Sequence, residues 1–409
     1  MIKSINNKVF SKHKLRKLLH IDHLIVTVLT LIIIKVLVAI AINLDFLSPV
    51  VRSLENFSMT DIYYRIMNTS TQTETDCTIT LVDMTELTHR KDIAKVIRQI
   101  KELKPKVLGV DIIFEGHMSD EEGDHALVEA CLDGDSANIV WAYKLTKYDD
   151  KNGRFQDCLH SFFVTEGNQK EGFVNLVSNP AKSIKQYAVT LPYKDTVVYS
   201  LPARIALATS DVKLANERSH TINYKPVTFP VVSCDSNSLA NFSVLITDHI
   251  VLLGTTQEER DKYYTPIGQK SGLEILAYTI LSMVEEEHIH HAGTWMAILW
   301  ALLVGYIVNL LDFFQTKRMG KRRSTIMVFV TQSKIYNKVV SLLVMIFITG
   351  VSFELFAKCN YFVNTLLALS TIVLIGEGRL LYVGLLSVLK RKKQWKWVQN
   401  SIYNEKNNN

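Results

Sequence analysis

Apolar residues recur along this chain on two length scales. Four stretches stay apolar for about twenty residues: 22–42, 294–314, 339–357 and 362–389. A helix needs about that length to cross the hydrocarbon layer of a bilayer, so the pattern predicts four transmembrane helices. Between the first and second lie residues 43–293, where the apolar runs are short and their period changes. CTITLV at 77–82 is a β-branched run ending in Asp83. Residues 92–103 then place Ile93, Val96, Ile97, Ile100 and Leu103 on one helical face, and Pro105 ends that helix. KVLGVDIIF at 106–114 is almost unbroken, as a strand covered on both faces of a parallel sheet would be. Further helices are predicted at 124–132, 201–209 and 272–286, and strands at 138–143, 172–177 and 249–253. Polar segments near 149–153 and 211–220 read as peripheral loops. The alternation predicts an α/β domain with a parallel or mixed sheet, carried on a helical membrane region of four transmembrane helices, one N-terminal and three C-terminal.

Charge orients this arrangement. Residues 1–20, 315–338 and 389–409 hold nineteen Lys/Arg against one acid, Glu405, whereas residues 43–293 hold 24 basic and 35 acidic residues. Basic loops mark the cytoplasmic side. The expected layout is therefore a cytoplasmic N-terminus (1–21), a periplasmic domain (43–293), a basic cytoplasmic loop (315–338), a short outer turn near 358–361 and a cytoplasmic tail (390–409), in a bacterial inner membrane. The basic segments abut the spans and do not gather on a folded face, which argues against nucleic-acid binding. Lys3 to Lys17 and Ala39-Ile40-Ala41 imitate a cleaved signal sequence, but the apolar run exceeds the roughly 7–15 residues of such a region and reads as an anchor.

Four charges fall at membrane depth. At 1.5 Å per residue, Lys35 and Glu377 lie about 20 and 18 Å from the inner boundary, and Glu354 and Arg379 about 22 and 15 Å. Intramembrane charges call for partners, and the expectation is that Lys35 pairs with Glu377 or Glu354 across helices. Gly376 and Gly378 beside Glu377 predict a local helix break or a close helix approach.

Several segments together resemble a known family. Leu81-Val82-Asp83-Met84-Thr85-Glu86 and Val107-Leu108-Gly109-Val110-Asp111-Ile112-Ile113-Phe114 come first. They are followed in order by Gly172-Phe173-Val174-Asn175, Val251-Leu252-Leu253-Gly254-Thr255-Thr256, Asp261 with Thr265-Pro266-Ile267-Gly268, and Gly272-Leu273-Glu274-Ile275-Leu276-Ala277. This ordered set is similar to the type-2 CHASE domain, an extracellular sensory domain, over roughly residues 45–290. The resemblance implies one span, the sensor, three spans and then, usually, a cytoplasmic cyclase or kinase. This chain runs Leu87-Thr88-His89-Arg90-Lys91 where the family commonly carries a Trp/Pro-containing turn. Only residues 390–409 follow the last span, too few for a catalytic domain, so signalling through a separate partner is the expectation.

Candidate chemistry is sparse. Asp83 and Asp111 stand near predicted strand ends, where open α/β sheets bind ligands. With Glu86, Asp261 and Thr265 they form the candidate ligand site, Glu115 adding to the acidic character, and such a cleft suits a hard cation. The competing reading makes Asp83 and Asp111 caps of backbone amides. The Gly254-Thr255-Thr256 turn offers amides to an anion, and Asp261 reads as a cap or as a partner of Arg260 or of a distant basic group. His288 and His291 would share a helical face beside Glu285–Glu287 and are the weak metal candidates. Cys77, Cys131, Cys158 and Cys234 fall in the external block and permit three pairings, of which Cys158–Cys234 is favoured. Cys77 reads as a buried thiol and Cys359 as free. No HExxH, Gly-x-Ser-x-Gly or phosphate-loop motif is present, and no cofactor or catalytic residue is expected. The leading reading is a sensor or receptor subunit that contacts the bilayer, a periplasmic small-molecule or protein ligand, a cytoplasmic effector and a second copy of itself. The rivals are a membrane-tethered metal-dependent hydrolase and a transport or assembly subunit.

Overall fold

The computed structural model describes residues 20–43, 61, 63–64, 66, 74–76, 78–132, 138–164, 170–178, 183–209, 212, 219–234, 239–286, 289–319, 335–392 and 401–403. The chain divides into two compact units, Arg52–Ile289 and a second formed by Met1–Val51 with His290–Asn409.

The first unit is built on a mixed sheet, nine-stranded among the described residues. Its parallel half contains β1 (Ile79–Asp83), β2 (Val107–Val110), the start of β3 (Ile139–Asp149), β8 (Val231–Ser233) and β9 (Ile250–Gly254). The spatial order is β3-β2-β9-β1-β8. β1, β2 and β9 are buried at every position, as their unbroken apolar sequences require. Helices α2 (Arg90–Glu102) and α3 (Glu121–Leu132) cover one face. There Ile93, Ile97, Ile100 and Leu127 pack with Val82, Leu108, Val110 and Leu253. Gly109, of the opposite strand parity, lies against Ile205 of α4 (Leu201–Thr209) on the other face, with Leu252 of β9 beside it.

Beyond β3 the sheet turns antiparallel. β3 is longer than the pattern at 138–143 predicts and folds back on β4 (Arg154–Leu159), so the polar segment at 149–153 is a hairpin turn. β5 (Glu171–Phe173) lies parallel to β3, and β6 (Thr190–Tyr193) and β7 (Thr196–Tyr199) complete the edge. The predicted strand 106–114 stops early: β2 ends at Val110, and Asp111 lies just past it, its amide still donating to the Leu253 carbonyl at 2.8 Å. The hairpin β10 (Lys262–Thr265) and β11 (Gly268–Ser271) leads into α5 (Gly272–Val284). Ser271 caps α5 reciprocally with Glu274, satisfying two amides that the helix start would otherwise leave open. Ser271→Ala is expected to cost about 1 kcal/mol, read as a lowered melting midpoint of the full chain in mild detergent.

The second unit contains four helices long and apolar enough to cross a membrane: α1 (Ile21–Asn43), α6 (Thr294–Met319), α7 (Ile335–Cys359) and α8 (Leu366–Lys392). Helices α1, α6 and α8 share a core that includes Val26, Ala301, Val304, Val308, Ala368 and Ile372. The helix α8 runs unbroken through Gly376 and Gly378. A Cβ at Gly378 would collide with the Thr30 hydroxyl and stand 3.0 Å from the Val26 carbonyl, so this glycine serves close approach to α1 and makes no break. The turn near 358–361 carries a two-residue strand, Tyr361–Phe362, paired with His290–His291. His291 is therefore in extended backbone, contrary to the shared helical face expected for His288 and His291. His288 lies outside the described residues.

Candidate functional site

At the C-terminal edge of the parallel strands the sheet gathers several of the acidic candidates. Asp83, the last residue of β1, is buried. Its Oδ1 accepts from the Thr85 amide (3.1 Å), the Thr85 hydroxyl (2.6 Å) and the Thr256 amide (3.0 Å). Burial works against its charge, but the bonds from Thr85 and Thr256 outweigh it and hold the carboxyl below its usual range. Asp83 thus staples the loop after β9 to the end of β1, and the Thr256 amide is engaged by this carboxylate. Glu86 is exposed. Thr265 closes its own hairpin, its hydroxyl donating to the Gly268 carbonyl at 2.6 Å and accepting from the Ile267 amide at 3.3 Å.

Asp111 and Asp261 behave differently. Burial first, and the charge of Asp261 second, push the Asp111 carboxyl up to about 7. No hydrogen-bond donor reaches the Asp111 carboxyl among the described residues. Asp261 accepts from the Gly272 amide at 3.2 Å, at the first residue of α5. A Cβ on Gly272 would stand 2.8 Å from both Asp261 oxygens, so glycine is what lets the carboxylate reach this helix end. Burial raises Asp261, and the Gly272 amide and the Tyr263 hydroxyl counter it. The Tyr263 phenol is raised by burial and by both carboxylates. This group, two coupled carboxyls and a phenol at a sheet edge, can exchange a proton near neutrality or hold a ligand that carries positive charge or donates hydrogen bonds. Of the readings open for Asp261 the structure takes the cap, at the Gly272 amide, and no ion pair joins it to Arg260 among the described residues. Among the described residues no three His, Cys, Asp or Glu side chains are placed to hold a metal ion.

Cys158 and Cys234 are both free, which overturns the favoured disulfide. Cys234 sits in the core under α2 and α3, and burial pushes its thiol up to about 12, as it does for Cys131. Cys359 is free and exposed. Cys77 lies outside the described residues.

The intramembrane charges also pair otherwise than expected. Lys35, Glu354 and Glu377 all face outward from their helices. Glu354 meets Lys358 one turn along its own helix at 2.7 Å, and no ion pair joins Lys35 to either glutamate among the described residues. Arg379 alone of the four points inward. It pairs with Asp312 of α6 and donates from Nη2 to Asn309 at 2.8 Å. Asn309 also meets His23 Nδ1 at 3.1 Å and accepts from the Tyr403 hydroxyl at 3.1 Å. Beside this group Asp22 is fully buried. It accepts from the Tyr382 hydroxyl (2.7 Å), the Ser401 hydroxyl (2.8 Å) and the Ile402 amide (2.7 Å). The segment Ser401–Tyr403 is thereby anchored on the ends of α1, α6 and α8. Sequence reasoning missed Asp22 and Asp312 because each lies at a run boundary, where a carboxylate reads as solvated. Their signal was that each is the lone acid in a strongly basic flank.

An α/β sheet with an acidic pair at its carboxyl edge, in a chain that also carries four membrane-length apolar helices, defines a membrane-associated α/β domain with a candidate ligand edge. The CHASE2 domain model matches residues 31–310, more than half of the chain, and the chain belongs to the CHASE2 family of extracellular sensory domains. No curated protein matches it, and no solved structure does.

Proposed function

We propose that this chain is a membrane-anchored extracytoplasmic sensor subunit. Residues 43–293 bind a small ligand at the carboxyl edge of the parallel sheet and signal through a partner on the cytoplasmic side. The observation that carries the reading is the Asp111–Asp261–Tyr263 group at the start of α5. Open α/β sheets take ligands beyond the carboxyl ends of their strands, and here a positively charged occupant would relieve the repulsion that Asp261 exerts on Asp111. A positive charge bound between them alters the charge on the amino end of α5, which the helix dipole senses. In the chain, α5 is followed within ten residues by span α6, a direct covalent route toward the membrane. The acidic block and the basic flanks support placing the domain outside and both termini inside.

The test is a thermal-shift panel of diamines and divalent cations on the full chain in mild detergent. At least one is expected to raise the melting midpoint of the natural protein by several degrees and to lose that effect in Asp111→Asn and Asp261→Asn. Shifts that are equal in the natural protein and both variants would contradict the proposed site.

A further inference from the structure

A second constellation lies on the antiparallel side of the sheet, apart from the acidic edge. Cys158 is near the end of β4, His160 two residues beyond it, and Glu171 opens β5. Cys158 Sγ lies 2.9 Å from His160 Nε2, and His160 Nδ1 lies 2.9 Å from Glu171 Oε1. The Tyr193 hydroxyl of β6 is 3.0 Å from the same sulfur. The imidazole stacks on the Tyr143 ring of β3, with centroids 5.1 Å apart and planes at 25°. The imidazole is thus fixed by a carboxylate on one nitrogen and an aromatic face beneath, and its other nitrogen is aimed at a thiol.

The arrangement also sets the thiol apart from the other described cysteines. Glu171 is only 16% exposed, and its one ion-pair partner among the described residues is His160, itself 31% exposed. Burial raises the Glu171 carboxyl and the His160 contact counters it, so the glutamate is held in an apolar setting by the imidazole it orients. The thiol is partly exposed, whereas Cys131 and Cys234 are buried and, among the described residues, have no imidazole hydrogen-bonded to the sulfur. Nucleophile, base and orienting carboxylate in hydrogen-bonded series is the arrangement that activates a thiol.

We infer that Cys158, His160 and Glu171 form a reactive-thiol site that takes small-molecule disulfides. His160 Nε2 accepts the Cys158 proton, and the thiolate attacks one sulfur of the incoming disulfide. A new sulfur–sulfur bond forms as the old one breaks, and its electron pair leaves on the distal sulfur, which takes the proton back from the imidazolium. The products are a mixed disulfide on Cys158 and one free small thiol, and the incoming disulfide is the only oxidant needed. Tyr193 hydrogen-bonds the sulfur in its charged form. Acyl transfer is the poorer match, because the Cys158 amide donates to Asp157 Oδ1 at 3.0 Å and is not available to a developing oxyanion. Glu171 acts through His160 and is a positioning residue.

The experiment treats the full chain in mild detergent with limiting oxidised glutathione and quantifies each cysteine by mass spectrometry. At pH 6.5 Cys158 is expected to react at least ~10-fold faster than Cys359, because His160 Nε2, 2.9 Å from the sulfur, is placed to take the thiol proton as the sulfur attacks. His160→Ala is expected to remove most of that advantage, and Glu171→Gln to reduce it ~3-fold while steepening the fall in rate from pH 8 to 6.5. The pH profile of the natural protein answers independently of whether the variants fold. Reaction at Cys158 no faster than at Cys359 would overturn the inference, as would a Cys158 rate indifferent to His160→Ala in a folded variant.

Discussion

Arg379→Met is expected to destabilise the helical unit by about 3 kcal/mol, because it leaves Asp312 without its cation in a low-dielectric setting. Asp312 is 15% exposed and Arg379 25%, so neither group has full access to water. Removing one member strands the other, whereas replacing both with apolar residues of similar volume does not. The double variant Arg379→Met with Asp312→Leu should therefore recover most of the loss. Arg379 also holds Asn309, which links His23 and Tyr403, so the single variant should loosen the Ser401–Tyr403 anchor as well. Unfolding midpoints in detergent, with proteolysis after residue 392 as a second readout, measure both effects. A double variant as unstable as the single one would show that Asn309, and not the ion pair, dominates.

Asp111→Asn should give the second large effect, and its sign depends on pH. The folded carboxyl titrates at about 7, above the roughly 3.9 of an unfolded aspartate. Below both values each state is protonated and the group contributes no penalty. As pH rises from about 4 the unfolded chain ionises first, so stability falls until the folded group ionises too, and above about 7 the penalty stays constant. The natural protein should therefore lose about 2 kcal/mol from this residue between pH 4 and pH 8, after allowance for its partial exposure. Asparagine keeps the shape without the charge. The variant should be more stable than the natural protein at pH 8 and equal to it near pH 4, and the difference curve isolates Asp111 from Asp83, whose contribution has the opposite sign. Equal melting midpoints at pH 8 would remove the acidic pair from the account.

Much of the architecture was readable because water and hydrocarbon sort residues strongly. The four apolar runs and the buried strands β1, β2 and β9 follow from unbroken hydrophobicity, and α2 from its helical spacing. The antiparallel edge was not readable, since β4 and β6 are half-buried, β7 is largely exposed, and all three carry mixed polarity. Among the candidate residues, Asp111 and Asp261 are coupled at the sheet edge, but Thr265 is engaged by its own hairpin and Asp83 by Thr85 beside it and by Thr256 in the loop after β9. Short polar side chains beside turns bond locally, and sequence alone does not separate that from ligand binding. The failed pairing of Lys35 with Glu354 or Glu377 has a plain cause. Position in a sequence fixes depth along a helix but not the rotation of that helix against its neighbours, and these three side chains face outward. The Cys158 site was hidden because Cys158 and His160 sit in one strand-loop segment while Glu171 joins them only through the pairing of β3 with β5.

An extracytoplasmic sensor requires the acidic sheet domain and the basic tail to lie on opposite sides of the bilayer. Insert one epitope after Asn152, in the exposed β3–β4 turn, and another after Asn409, and offer antibody to intact spheroplasts of an expressing bacterium. Binding to the first epitope and, only after lysis, to the second is the expected result. Binding to the second on intact spheroplasts, or failure at the first until lysis, would contradict the extracytoplasmic sensor.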